Sequence, residues 1–185
     1  MNVTIATDAS FSKILKRGTY AFWITSNEGV IRKAGILRSK VKHSVIAEMK
    51  CIINALHYLQ RQEWFSNVKH VYVNTDCLNA IHHFKNDMDA IHQYKINHPE
   101  NRHLAKVYTL LKKNQFKGVK IELRHIKAHE RSDTPRHYTN DWCDREAKKQ
   151  MSKLLNNDAT TSRSTNNSTL YCRPCTAIQI RKANS

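Results

Sequence analysis

Four carboxylates stand out because the chain around them is so basic. Lys and Arg number 31 against 15 Asp and Glu, a formal charge of +16 over 185 residues. Asp8 stands in Thr-Asp-Ala-Ser, Glu48 in Ala-Glu-Met-Lys, Asp76 in Asn-Thr-Asp-Cys and Asp144 in Cys-Asp-Arg-Glu. Carboxylates held together repel one another and want a divalent cation, and an all-oxygen donor set suits Mg²⁺ or Mn²⁺. Taken singly, each acid has an ordinary explanation. Asp8 suits a turn, Asp76 suits a helix N-cap, and Glu48 and Asp144 suit the first turns of helices, where the dipole favours them. If the fold brings all four to one edge, one metal site replaces four separate explanations.

The elements that must position them are legible in the hydrophobic pattern. Residues 2–8, 19–25 and 30–37 read as strands, joined through Gly18 and Asn27-Glu28-Gly29 into an antiparallel meander. From Ser44 to about Gln62 the period becomes helical, with Ile46, Met49, Ile52, Ile53, Leu56 and Leu59 on one stripe. Residues 68–74 (VKHVYVN) form a β-branched strand, followed by a helix over 76–84 and a polar, irregular stretch over 85–101. A helix is expected over 102–113, a strand over 119–126 and a last helix over 140–155. Five strands and four helices are expected, with one ambiguous segment before the third helix. A meander followed by crossovers implies an α/β protein with a mixed sheet and helices on its faces. In such sheets ligands gather at the carboxyl ends of the strands, where Asp8 and Asp76 fall.

Other classes drop out. No run approaches the roughly 18 to 20 apolar residues of a membrane span, and residues 1–8 lack the regions of a signal peptide. Five cysteines, an odd number, fit a reducing compartment, so a cytoplasmic protein is expected. With four glycines and neither GxGxxG nor GxxxxGK[ST], a glycine-cradled nucleotide site is not expected. The charge makes nucleic acid the first partner to consider and an anionic membrane surface the second. A monomer is the default, as no self-association motif stands out.

The succession Ile5-Ala-Thr-Asp8-Ala-Ser10, Ala47-Glu48 leading AEMKCIINAL, Val73-Asn-Thr-Asp76, Ile126-Lys-Ala-His129 and Asn140-Asp-Trp-Cys-Asp144-Arg-Glu-Ala147 resembles the ribonuclease H type I family, within the retroviral-integrase-like superfamily. It covers about residues 2–155, in the family's order. The resemblance implies a ribonuclease H-like three-layer fold with a mixed five-stranded sheet, antiparallel meander then parallel strands, flanked by helices. It implies an endonuclease that hydrolyses the RNA strand of RNA/DNA hybrids with two Mg²⁺ ions, for which Mn²⁺ could substitute. Asp8, Glu48, Asp76 and Asp144 would be the metal ligands and catalytic acids. Asp141 competes for the last place, but the pattern Asn140-x-x-Cys143-Asp144-x-x-Ala147 favours Asp144. Two ions about 4 Å apart can hold a scissile phosphate, one activating water and one stabilising the departing 3′ oxygen. His129 would be the histidine that assists proton transfer or product departure.

Residues 102–127 hold eight Lys or Arg and one acid. A solvated face is the plain reading; with the resemblance, Lys112, Lys113 and Lys117 become candidate contacts to the hybrid's backbone. The preceding segment, with five histidines between His82 and His103, occupies the place of the family's substrate-gripping handle. Ala9 stands where the family usually has Gly, His43, Ser44 and Val45 stand where it often has Asn or Thr, and Cys77-Leu78 replaces a polar pair. In relatives these positions touch the RNA 2′-hydroxyls or a DNA phosphate, and the 2′-OH is what distinguishes RNA from DNA. A structure-selective DNA nuclease of the same superfamily, and a nucleic-acid-binding protein without catalysis, are the alternatives. The domain is expected over residues 1–155. Residues 156–185 read as a flexible polar linker and a basic tail. Its Cys172-x-x-Cys175 has the spacing of half a zinc site, but with no second Cys or His pair after Asn156 it reads as two free thiols or as a short peptide that docks on a protein partner.

Overall fold

The computed structural model describes residues 1–93, 98–127 and 135–166 of the chain. The expected positions of His129 and of Cys172 and Cys175 lie outside these residues. Five strands, β1 (Asn2–Ser12), β2 (Arg17–Ser26), β3 (Gly29–Ile36), β4 (His70–Thr75) and β5 (Lys120–His125), form one sheet in the order β3-β2-β1-β4-β5. The first three pair antiparallel, Asp8 opposite Ala21 and Ala21 opposite Ala34, whereas β4 lies parallel to both β1 and β5. The helices are α1 (Ser44–Gln60), α2 (Leu78–Lys85), α3 (Met88–Gln93), α4 (Pro99–Gln115) and α5 (Pro135–Asn166). The β2–β3 hairpin closes over Asn27-Glu28 with Gly29 at φ +130°, a conformation that glycine adopts without a Cβ clash.

Each strand sends alternate side chains to opposite faces. On one face Val3, Ile5, Phe22, Ile24, Val71, Val73, Ile121 and Leu123 pack with the apolar stripe of α1 and with Leu104, Tyr108 and Leu111 of α4. Each fully buried aliphatic or Phe side chain there contributes roughly 1.5–3 kcal/mol by leaving water. On the other face Ala6, Ala21 and Trp23 meet Cys143 and Ala147 of α5. The small residues let α5 sit close, and Trp23 fills the rest, edge-on to Trp142 and with the Arg32 guanidinium 3.6 Å over its ring. Both faces of the central strands are therefore covered, the three-layer arrangement that the sequence implies.

Three segments depart from the expected elements. The stretch expected to be irregular contains α3, made possible by Asn86 at φ 56°, which ends α2, and by Asp87, whose Oδ1 accepts the Ala90 amide. Helix α4 begins at Pro99 rather than at residue 102, and α5 is already helical at Pro135, ahead of the expected residue 140. Proline needs no hydrogen-bond partner for its nitrogen in the first turn, so it starts helices as readily as it breaks them. His98 caps α4, its Nδ1 accepting the Glu100 amide at 3.1 Å. Helix α5 also runs past Leu155 to Asn166. A helix already nucleated extends by one bond per residue without needing an apolar face, so the polar composition after Leu155 does not stop it. Among the described residues three helices thus separate β4 from β5, where the sequence pattern had allowed two. Among the described residues no helix is long and apolar enough to cross a membrane.

Candidate active site

Asp8 points to the α5 side of the central strand, one pleat beyond Ala6. Glu48 lies in the second turn of α1 and Asp76 directly follows β4. Parallel pairing of β1 with β4 sets Ala6 beside Asn74, so the two strands deliver their aspartates to the same edge. Carboxylate oxygens of Asp8, Glu48 and Asp76 lie within 4.8 Å of one another. Asp8 is 5% exposed and Glu48 7%, while Asp76 is half-buried. The Ala9 amide donates to Glu48 Oε1 at 3.1 Å, which fixes that carboxylate against the strand. Its other oxygen, Oε2, is buried without a hydrogen-bond partner.

Burial and like charge act together on these groups. Asp8 is pushed up from 3.8 to about 8, first by burial and then by the charges of Asp76 and Asp144, with Lys148 acting in the opposite sense. Glu48 is raised well above its ordinary value by burial, then by Asp8 and Asp76, against the lowering effect of the Ala9 amide. An arrangement that costs this much in charged form is relieved by a cation. The donor set is all oxygen and one oxygen is buried and unsatisfied, so the residues fit a hard divalent ion such as Mg²⁺.

Asp144 stands beside this trio on α5, one residue after Cys143, which packs on the sheet. Its charge reaches both Asp8 and Glu48, and Lys148, one turn on, holds its carboxylate at 2.8 Å. Asp141 is exposed and is not among the charges acting on Asp8 or Glu48. The sequence reading passed over Lys148, although an acid followed four residues later by Lys is a recognised helical pair.

Cysteines brace the site without joining its chemistry. Cys51 Sγ donates to the Asp8 carbonyl at 3.4 Å and the Ala21 carbonyl at 3.3 Å, and Cys143 Sγ to the Ala6 carbonyl at 3.5 Å. Both thiols are pushed upward chiefly by burial, and Cys77 is pushed up to about 12. Thiols held protonated are neither nucleophiles nor good ligands. Their polar hydrogens instead fasten the β1 backbone from both layers.

The basic candidates fall elsewhere. Lys112 and Lys113 are in the last turn of α4, and Lys117 follows it, all exposed. The chain then enters β5 at Lys120, which pairs with His70 at the start of β4. Asp76 follows the other end of that strand, about 20 Å away by strand length. These lysines and the carboxylates therefore occupy opposite edges of the sheet.

A mixed sheet in this order, with acids at the carboxyl ends of its central strands and a further acid on the covering helix, defines a ribonuclease H-like hydrolase. The family model for RNase H matches residues 1–152. The chain belongs to the RNase H family, and it is a ribonuclease H-like endoribonuclease by that membership. Solved structures agree on the fold. LC11-RNase H1, isolated from compost by a metagenomic approach, superposes with a TM-score of 0.63 at 16% identity, covering 83% of this chain and 98% of its own. The same protein in complex with RNA/DNA hybrid gives 0.62 at 16% identity, over 83% and 99% of the two chains. RNase H1 from the halophilic archaeon Halobacterium salinarum gives 0.59 at 13% identity, over 83% and 99%. No curated protein matches this sequence.

Proposed function

We propose that this protein hydrolyses the RNA strand of RNA/DNA hybrids, using two divalent cations held by Asp8, Glu48, Asp76 and Asp144. The observation that carries the reading is the convergence of Asp8, Glu48 and Asp76 within 4.8 Å in a member of the RNase H family. A relative of the same fold has been solved with such a hybrid. Mg²⁺ ions bound there would activate water for in-line attack on a phosphate and neutralise the departing 3′ oxygen.

The chain's own residues supply the rest. Asp8, rooted mid-strand, and Glu48, pinned by the Ala9 amide, are pre-set and need no reorganisation when a cation arrives. Asp76 and Asp144 sit closer to solvent, at the mouth, where substrate enters. Lys148 holds Asp144 and would have to yield it to a bound cation. His129 is assigned assistance to proton transfer or product departure. The basic surface draws the phosphate backbone inward; Lys112, Lys113 and Lys117, on the far edge, can touch only a distant part of a duplex. The intracellular setting follows the thiol content of the chain.

The test is incubation with Mg²⁺ and end-labelled RNA/DNA hybrid, duplex RNA, duplex DNA and a four-way junction, beside Asp76→Asn. Internal cuts in the RNA strand of the hybrid are expected, lost with EDTA and with the variant. Cleavage of the junction alone would identify a DNA nuclease instead, and an inert protein would contradict both enzyme readings.

A further inference from the structure

A groove with a cavity volume of about 750 Å³ lies between β3, α1 and α4, on the face of the sheet away from α5. Lys33, Arg38, Lys50, His57 and Arg61 line it, and among the described residues lining it none is an acid. Lys50 is held by Glu100 of α4 at 2.7 Å. Lys33, Arg38 and Arg61 are exposed and face the groove without a carboxylate partner among the described residues.

The groove is also aromatic. Tyr20, Phe22 and Tyr58 form a run along its floor, with ring centroids 5.9 Å and 5.6 Å apart, and Lys33 Nζ stands 5.4 Å over Tyr58. Gly35 leaves the space that the Tyr20 ring occupies; a Cβ there would press on that ring at 3.1 to 3.3 Å. One end of the groove lies one strand away from the carboxylates, since Tyr20 pairs with Ala9, whose amide holds Glu48. From Lys50 to Arg61 the floor follows α1 for about 16 Å, room for about five nucleotides at the ~3.4 Å spacing of a stacked strand.

A positive track interleaved with half-buried rings is the chemistry that grips a single strand, cations on phosphates and rings on bases. An acidic peptide would satisfy the cations but bring no planar groups to Tyr20 and Tyr58. We propose that this groove receives a single strand of nucleic acid extending from the duplex held at the carboxylates. The proposal rests on the reading of that site as a hybrid nuclease only for where the strand originates.

The test is fluorescence anisotropy with Asp76→Asn protein in Mg²⁺, on a blunt hybrid and on hybrids with a DNA or an RNA extension of about ten nucleotides. The extension is expected to raise affinity about tenfold or more, and the DNA and RNA arms show which strand takes the groove. Combining Lys33→Ala, Arg38→Ala and Arg61→Ala should erase that gain and flatten the salt dependence of extended-hybrid binding by about 2 in log–log slope. All three side chains are exposed, and circular dichroism checks that the variant is folded. No gain from either extension, a gain that survives the triple substitution, or equal competition by polyglutamate would overturn the proposal. Cleavage of the blunt hybrid by the unsubstituted protein, measured alongside, reports separately on the catalytic reading.

Discussion

The two faces of the sheet are built on different terms. Behind it, toward α1 and α4, large aliphatic and aromatic side chains fill one continuous core. In front, α5 rests on Ala6, Ala21 and Trp23 through Cys143 and Ala147, and at the top of this thin layer lie the carboxylates. The thick layer supplies the burial that holds the fold. The thin layer brings a helix close enough for the charge of Asp144 to act on Asp8 and Glu48, and it carries groups that repel one another. Stability and chemistry are thus divided between the faces, and Glu48 is where they meet, rooted in the thick layer and aimed at the front edge.

The largest expected effect lies at the front. Asp8→Asn or Asp76→Asn should lower hybrid cleavage by several kcal/mol of transition-state stabilisation, about a thousandfold, as steady-state assays in Mg²⁺ would show. Without divalent ions Asp8→Asn should melt at a higher temperature than the parent chain near neutral pH, because it removes a carboxylate that burial and its acidic neighbours force to take up a proton on folding. A lower melting point in EDTA would break the division between the faces.

Behind the sheet the order reverses. Leu56→Ala, in the α1 stripe and fully buried, should cost about 2–5 kcal/mol in chemical denaturation while leaving the turnover of the folded fraction near that of the parent. Ala147→Leu tests the thin layer. Overpacking costs about 1–3 kcal/mol and lifts α5 off the sheet, so it should lower activity more than its loss of stability explains.

The pH dependence of stability should also come from the front. Folded Asp8 keeps its proton to about pH 8, whereas the unfolded chain loses it near the ordinary value of 3.8. Between these values the folded state binds more protons, so stability falls as pH rises through that window. Raised Glu48 acts in the same direction. In EDTA the melting temperature should decline from about pH 5 to pH 8, and saturating Mg²⁺ should flatten the decline. A rise over that range would contradict the buried-charge account. The smallest effect is expected at Lys148→Ala, whose exposed i,i+4 pair with Asp144 is worth about 0.3–0.5 kcal/mol. Its clearer mark should be tighter Mg²⁺ binding by calorimetry, since Asp144 no longer has a competing partner.

The sequence made the strand order and the α1 stripe legible because burial there follows simple periods. It also made Asp8, Glu48 and Asp76 legible, because strand ends and helix starts define the edge where they meet. Its reading was weaker where polar residues act through geometry. Asn86 and Asp87 build a helix junction with no apolar signal, and Pro99 opens a helix inside a stretch with no apolar period. The placement of Lys112 and Lys113 needed the direction of α4, which carries them to the edge away from the acids. The groove of Tyr20, Tyr58, Lys33 and Arg61 draws on separate elements and has no local motif at all.

Anomalous diffraction from crystals soaked in Mn²⁺, with an uncleavable RNA/DNA hybrid bound, tests the metal-centred account most directly. Two manganese peaks are expected among the carboxylates of Asp8, Glu48, Asp76 and Asp144, with a phosphate of the RNA strand between them. A carboxylate edge without manganese, or with manganese bound only elsewhere on the protein, would contradict it.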